Sequence, residues 1–144
     1  MTVFACRAPS PSYVPARSVA LDPREEGPAR LLASVADELG TPIATLTRDA
    51  RQVPMASGSA DTVVAVHLVE HLPPGDDARV LAEMLRVARR RAVVAVPFED
   101  VPDPAWGHVR TFDLDALAGL GAGTGLPYRV DEHHGGWLVV DHHA

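Results

Sequence analysis

Six consecutive residues, Asp61-Thr62-Val63-Val64-Ala65-Val66, constrain the fold more than any other stretch of the chain. After Asp61 they do not alternate apolar with polar, and β-branched residues dominate, so a strand here is covered on both faces. Ala92 to Val96 repeats the pattern and is stopped by Pro97. Between the two runs, Asp76 to Arg90 carries Val80, Leu81, Met84, Leu85 and Ala88 at helical spacing. Asp76 and Asp77 suit the positive end of that helix, and the arginines its negative end. A strand, a helix and a second doubly covered strand form the repeating unit of a parallel, helix-covered sheet.

The rest of the chain extends this alternation. Thr2 to Cys6 reads as a strand, and the three prolines of the Arg7 to Pro15 segment forbid a regular helix after it. Ser18 to Leu21 is a second short run, ending in Asp22-Pro23. Pro28 to Leu39 has Leu31, Leu32, Val35, Ala36 and Leu39 on one side, with Gly40 as a stop, and Ile43 to Leu46 is a further strand. A short helix over Leu114 to Leu120 is ended by Gly121, Gly123 and Gly125. Tyr128 to Glu132 and Trp137 to Val140, joined by His133-His134-Gly135-Gly136, suit a hairpin. The expected architecture is α/β: a Rossmann-like, mostly parallel sheet with a C-terminal antiparallel hairpin, forming one domain over residues 1–144.

Composition narrows the classes of function. A formal charge of −6 over 144 residues argues against a sequence-independent grip on nucleic acid. Arg86, Arg89, Arg90 and Arg91 form either a local basic patch or the exposed end of a helix. Cys6 is the one cysteine, so no internal disulfide forms and a reducing cytoplasm suits the chain. No segment is apolar for long enough to cross a bilayer, and the first residues lack a signal-peptide layout. The expectation is a cytoplasmic domain with no nucleic-acid and no membrane partner.

The central run delivers His67, Glu70 and His71 to its carboxyl end, where open α/β sheets bind ligands. Formally His67 to His71 is H-x-x-E-H, a zinc-protease helix signature. It follows directly from a strand and meets Pro73-Pro74, which leaves no room for a long helix. Histidines at this place can serve as general bases. Asp22, closing the second strand, is placed either to accept ribose hydroxyls or merely to open a turn before Pro23. Asp49 is either an acceptor for a buried amine or a loop aspartate bonding its own backbone. His133, His134, His142 and His143 would form a zinc or nickel site if the hairpin joined the two pairs, and are otherwise exposed tail histidines. Trp137 either packs on the sheet or lines a substrate face.

Val53 to Leu72 resembles the "LP-x-x-x-x-S-x-D-x-V…EHL" segment of class I S-adenosylmethionine (SAM) dependent methyltransferases. The resemblance spans roughly residues 17–143. It implies SAM as cofactor, with Asp22 on the ribose and Asp49-Ala50, in the family's "D-A-x-x-L/V-P" place, at the adenine. His67 would face the cofactor at the end of the fourth family strand. The family's "D-x-G-x-G-x-G" loop has no counterpart, and Ala5, Ala8 and Ser10 are the small residues in its place, so the domain is expected to be reduced at its amino terminus. Glu70-His71 is similar to the "E-x-x-E-H" element of metal-dependent O-methyltransferases, in which a later histidine, here His108, completes a magnesium site. The implied ligands are Glu70, His71 and His108, and the implied catalytic histidines are His67, His71 and His108. His67 stands where those families have a glutamate, a nitrogen-rich set that suits zinc, manganese or iron better than magnesium. "E-H-L-P…R-V-A-R-R-R…V-P-x-E-D…G-H-V-R-T-F-D…H-H-G-G-W-L-V" is similar to enzymes that methylate the sugar chain of mycofactocin. The implied reaction is O-methylation of a small polar acceptor such as a sugar hydroxyl. The competing expectation is a non-catalytic methyltransferase-like subunit or fragment; a homodimer is compatible with either.

Overall fold

The computed structural model describes residues 2–6, 17–20, 38 and 49–142. The elements are β1 (Thr2–Cys6), β2 (Arg17–Ala20), β3 (Ala60–Val66), α1 (Asp76–Val87), β4 (Ala88–Val96), α2 (Leu114–Ala122), β5 (Tyr128–Glu132) and β6 (Gly136–Asp141), with a 3-10 turn at Val69–His71 after β3. Asp22, His143, the strand expected over 43–46 and all but Glu38 of the helix expected over 28–39 lie outside the described residues.

The strands form one sheet in the order β2-β1-β3-β4-β6-β5. β3 and β4 are parallel, joined by α1, as their doubly apolar runs require. The hairpin β5–β6 is antiparallel and joins the sheet through β6 on β4. At the other side the directions differ from the mostly parallel expectation: β1 is antiparallel to both β2 and β3, which makes the described sheet mixed.

One face of the sheet presents Val63, Ala65, Ala92, Val94, Leu138 and Val140, all in a single buried cluster with Val80, Leu81 and Met84 of α1 and Leu117 of α2. On the opposite face Val64, Val66 and Val93 are only half-buried, so the two faces of β3 are unequally covered. The parallel register Val63↔Ala92 and Ala65↔Val94 keeps the core positions of the two strands on one side.

α1 ends earlier than its apolar spacing suggested. Val87 is its last residue and Ala88, already extended at φ −71° and ψ 140°, begins β4. Helix and strand therefore meet with no loop between them. Arg89, Arg90 and Arg91 belong to the strand rather than to an exposed helix end. Arg86 pairs with Glu83, Arg89 with the buried Asp61 and Arg91 with Asp141, so three of the four arginines face an acid instead of forming a free basic patch. α2 runs two residues beyond Leu120, and Gly121 is inside it because a Cβ there would lie 2.6 Å from the Tyr128 ring. Asp113 caps its start by accepting from the Ala116 N–H at 2.7 Å.

Candidate functional site

The carboxyl ends of β3 and β4 build the site. β3 stops where His67 turns to φ +49°, its N–H donating to the Ala95 carbonyl at 3.0 Å. Leu68 and Val69 are fully buried and pull the following 3-10 turn inward, taking Glu70 with them. His71 and Leu72 close that turn by donating to Leu68 and Val69 carbonyls. His67, left outside, has a side chain 59% exposed, whereas that of Glu70 is 2% exposed.

The segment after β4 folds over this turn. The Val109 N–H donates to the Glu70 carbonyl at 2.9 Å, and His71 Nδ1 lies 3.2 Å from the Gly107 carbonyl. Gly107 itself sits at φ +73°, a conformation glycine supplies without strain. Arg110 ties the segment to α1 through Asp77 at 2.8 Å and stacks on Phe112. These contacts bring the His108 ring edge-on to His71 with centroids 4.8 Å apart.

Glu70, His71 and His108 each present one ligand atom, and the three atoms lie within 4.8 Å of one another. Both oxygens of Glu70 are buried with no hydrogen-bond partner. Oε1 is 3.3 Å from His67 Nδ1 and 4.0 Å from His71 Nε2. The Gly107 carbonyl can only accept, so His71 Nδ1 carries the proton in that bond and Nε2 keeps its lone pair. His108 Nδ1 is engaged in turn by Glu99 Oε2 at 2.7 Å, again leaving Nε2. Two imidazole rings and a buried carboxylate are thus gathered within 4.8 Å, a donor set that fits a divalent cation.

The other expected residues are distributed differently. Ala5 pairs with Val63 and Arg17, toward the amino end of β3, and is not brought to the ligand edge. Thr2 and Ala20 occupy the row of Val66, so β2 ends at the ligand edge immediately before the undescribed Asp22. The Asp49 carboxylate receives the Arg51 side chain through Nε and Nη2 and the Arg51 N–H, and this arginine holds it below the usual carboxylate range. Ala50 is buried in the core. The segment after it is clamped to α1: Glu83 accepts the Val53 N–H at 2.7 Å, and Arg86 donates to the Val53 carbonyl at 3.0 Å.

Among the described residues the hairpin separates His133 and His134 from His142. His133 and His134 stack on each other at the turn, while His142 lies beyond the far end of β6, bonded to the Leu85 carbonyl at 2.8 Å. Trp137 donates to the His133 carbonyl. Glu99, which bonds His108, and Trp106, next to Gly107 in the chain, were not singled out from sequence. Glu99 follows β4 at its carboxyl end, the topological position that drew attention to Glu70. Trp106 is 73% exposed beside Gly107, and a large aromatic next to a glycine-histidine pair was the available signal.

Fold and site together define an α/β protein of the class I methyltransferase type. The model of the family described as "Methyltransferase domain" matches residues 4–96, and the chain belongs to that family. It is similar in fold to the YcgJ protein of Bacillus subtilis, at TM-score 0.63 and 18% identity over 79% of this chain and 54% of that one. It is also similar to a SAM-dependent methyltransferase from Aquifex aeolicus, at TM-score 0.62 and 17% identity over 87% and 67% of the two chains. A third likeness is to 1,6-didemethyltoxoflavin-N1-methyltransferase of Burkholderia thailandensis, solved with its acceptor and S-adenosylhomocysteine, at TM-score 0.60 and 18% identity over 85% and 59%. The chain thus spans about half the length of the first of these structures. No curated protein matches it in sequence. Among the described residues no helix is long and apolar enough to cross a membrane.

Proposed function

We propose that this chain is a SAM-dependent methyltransferase that modifies an oxygen of a small polar acceptor, such as a sugar hydroxyl, beside a divalent ion held by Glu70, His71 and His108. Family membership supports the cofactor. The observation that carries the ion is Glu70, a carboxylate whose two oxygens are buried without a hydrogen bond and face imidazole nitrogens. A buried acceptor without a donor is costly, and a cation relieves that cost. Two nitrogens and one carboxylate favour zinc, manganese or iron(II) over magnesium.

SAM fits the ligand edge in part. Asp22, two residues past the end of β2 in sequence, and Asp49, whose carboxylate also receives Arg51, are the acids that would meet its ribose and adenine. When bound, SAM would supply an electrophilic methyl group for in-line displacement, and an ion held by Glu70, His71 and His108 would lower the pKa of an acceptor hydroxyl. His67 is exposed, with Nδ1 turned to Glu70, so its Nε2 is the group that can take the acceptor proton. The flat apolar face of the exposed Trp106 suits one side of a sugar ring, and a neighbouring diol would give the ion two oxygens.

A second reading rests on the 3.3 Å approach of His67 to Glu70: a metal-free histidine base oriented by the carboxylate. Calorimetric titration with S-adenosylhomocysteine, with and without manganese or zinc, tests both. Micromolar binding that Asp22→Ala weakens by about 1–3 kcal/mol supports the cofactor assignment. Turnover abolished by chelator supports the ion, and full turnover in chelator leaves the histidine base. Absence of binding by folded protein would turn the assignment to a non-catalytic subunit.

A further inference from the structure

Several acids of the described residues, buried and exposed, face arginine. Asp49 meets Arg51, Asp61 meets Arg89, Asp77 meets Arg110, Glu83 meets Arg86, and Asp141 meets Arg91 and Arg129. Glu99 differs: among the described residues its ion-pair partner is a histidine, His108, at 2.7 Å. The pair is secluded, with side-chain exposures of 7% for His108 and 24% for Glu99. Glu99 lies three residues beyond the end of β4, so the strand that supports the ligand edge also carries the acid that grips His108.

We propose that Glu99 is a positioning residue: it holds His108 as the Nδ1–H tautomer with Nε2 turned toward Glu70, and thereby sets the affinity of the centre for its ion. The physical reason is the division of labour in an imidazole. A carboxylate accepting from Nδ1 keeps the proton there, leaves the Nε2 lone pair directed outward and makes it a better donor to a cation. Residue 71 is treated the same way by a different group, the Gly107 carbonyl, which is neutral. The two histidines are therefore oriented by unlike partners, and the charged one acts on His108. The affinity half of the proposal rests on the ion proposed above; the tautomer half does not.

The test uses the whole chain, ion-free and at one pH, with three forms: wild type, Glu99→Gln and Glu99→Ala. Imidazole ¹⁵N chemical shifts report the tautomer. Wild type and Glu99→Gln, whose amide oxygen still accepts, should show His108 protonated at Nδ1, and Glu99→Ala should show a mixture. Calorimetric titration with zinc and with manganese should then give affinities lowered about 10–100-fold in Glu99→Ala and largely restored in Glu99→Gln. A purely structural glutamate would change the melting temperature and neither of these readings. An unaltered tautomer together with unaltered zinc affinity in Glu99→Ala would overturn the proposal. If the wild type binds neither metal yet the tautomer shifts in Glu99→Ala, the ion fails while Glu99 stands as the residue orienting His108.

Discussion

Replacing Glu70 by glutamine should make the ion-free protein more stable and the ion-loaded protein less so. In the folded chain both carboxylate oxygens are buried without a donor, 3.3 Å from His67 Nδ1 and 4.0 Å from His71 Nε2. The carboxamide is of the same size and can turn its N–H₂ group toward His71 Nε2, which carries the lone pair when the neutral ring is protonated at Nδ1. An unsatisfied buried acceptor costs about 1–3 kcal/mol, so the gain in chelator should approach that amount. At about 2–4 °C per kcal/mol for a chain of this size, the melting temperature should rise by roughly 2–12 °C. With zinc or manganese at a hundredfold excess over Kd the wild type gains about 2.7 kcal/mol, and the variant should gain far less. Thermal denaturation followed by circular dichroism, in chelator and in metal, reads both effects. The order of the two proteins should invert between the conditions. A variant that melts several degrees below wild type in chelator would refute the reasoning, because Glu70 would then have a stabilising partner in the ion-free fold.

Three further outcomes are expected. Gly135→Ala should cost about 2–4 kcal/mol in urea unfolding, since Gly135 is at φ +126° and a Cβ would lie 2.4 Å from the Val96 carbonyl oxygen. The Arg86 guanidinium lowers the Glu83 pKa below its ordinary value, against the opposing effect of burial, with the Val53 N–H adding to the lowering. A carboxyl depressed in the folded state contributes stability above its unfolded pKa and loses it as pH falls through the folded value, so the stability deficit of Glu83→Gln at neutral pH should shrink in acid denaturation curves below the usual glutamate range. Trp106→Ala should raise KM for the acceptor severalfold while shifting stability by no more than about 0.5 kcal/mol, as measured by steady-state kinetics and thermal melts.

The elements that sequence revealed are those specified by local pattern. β1 and β5 begin and end at the residues expected from sequence, and β3 and β4 stand side by side because an uninterrupted Val-rich run has few other places to go. The direction of β1 was not legible, because strand polarity depends on which neighbour is met and not on the five residues themselves. α1 was read too long for a related reason: Ala88 continues the helical spacing, and only the demand of β4 for an extended residue at that place ends the helix. In the site, Glu70 and His71 could be named from their position after β3, and His108 from the family resemblance. The partners that orient the histidines could not, since Glu99 and the Gly107 carbonyl depend on how the segment after β4 folds back. The Asp49 side chain illustrates the converse. Its place in the chain suggests a ligand contact, and the Arg51 side chain, two residues on, that donates to the same half-exposed carboxylate was not foreseen.

The direct junction of Val87 to Ala88 has a consequence for how this chain can vary. A residue inserted in a loop is absorbed by the loop, but here none exists between helix and strand. One added residue would either turn α1 by about 100° against the sheet or slide β4 by one position. The slide would exchange core-facing Ala92, Val94 and Val96 for Val93 and Ala95, and would carry Pro97 and Glu99 out of step with the turn at Glu70. Length changes among natural versions of this domain should therefore collect between Pro97 and Asp113 or at the β5–β6 turn, and be absent from residues 84–96.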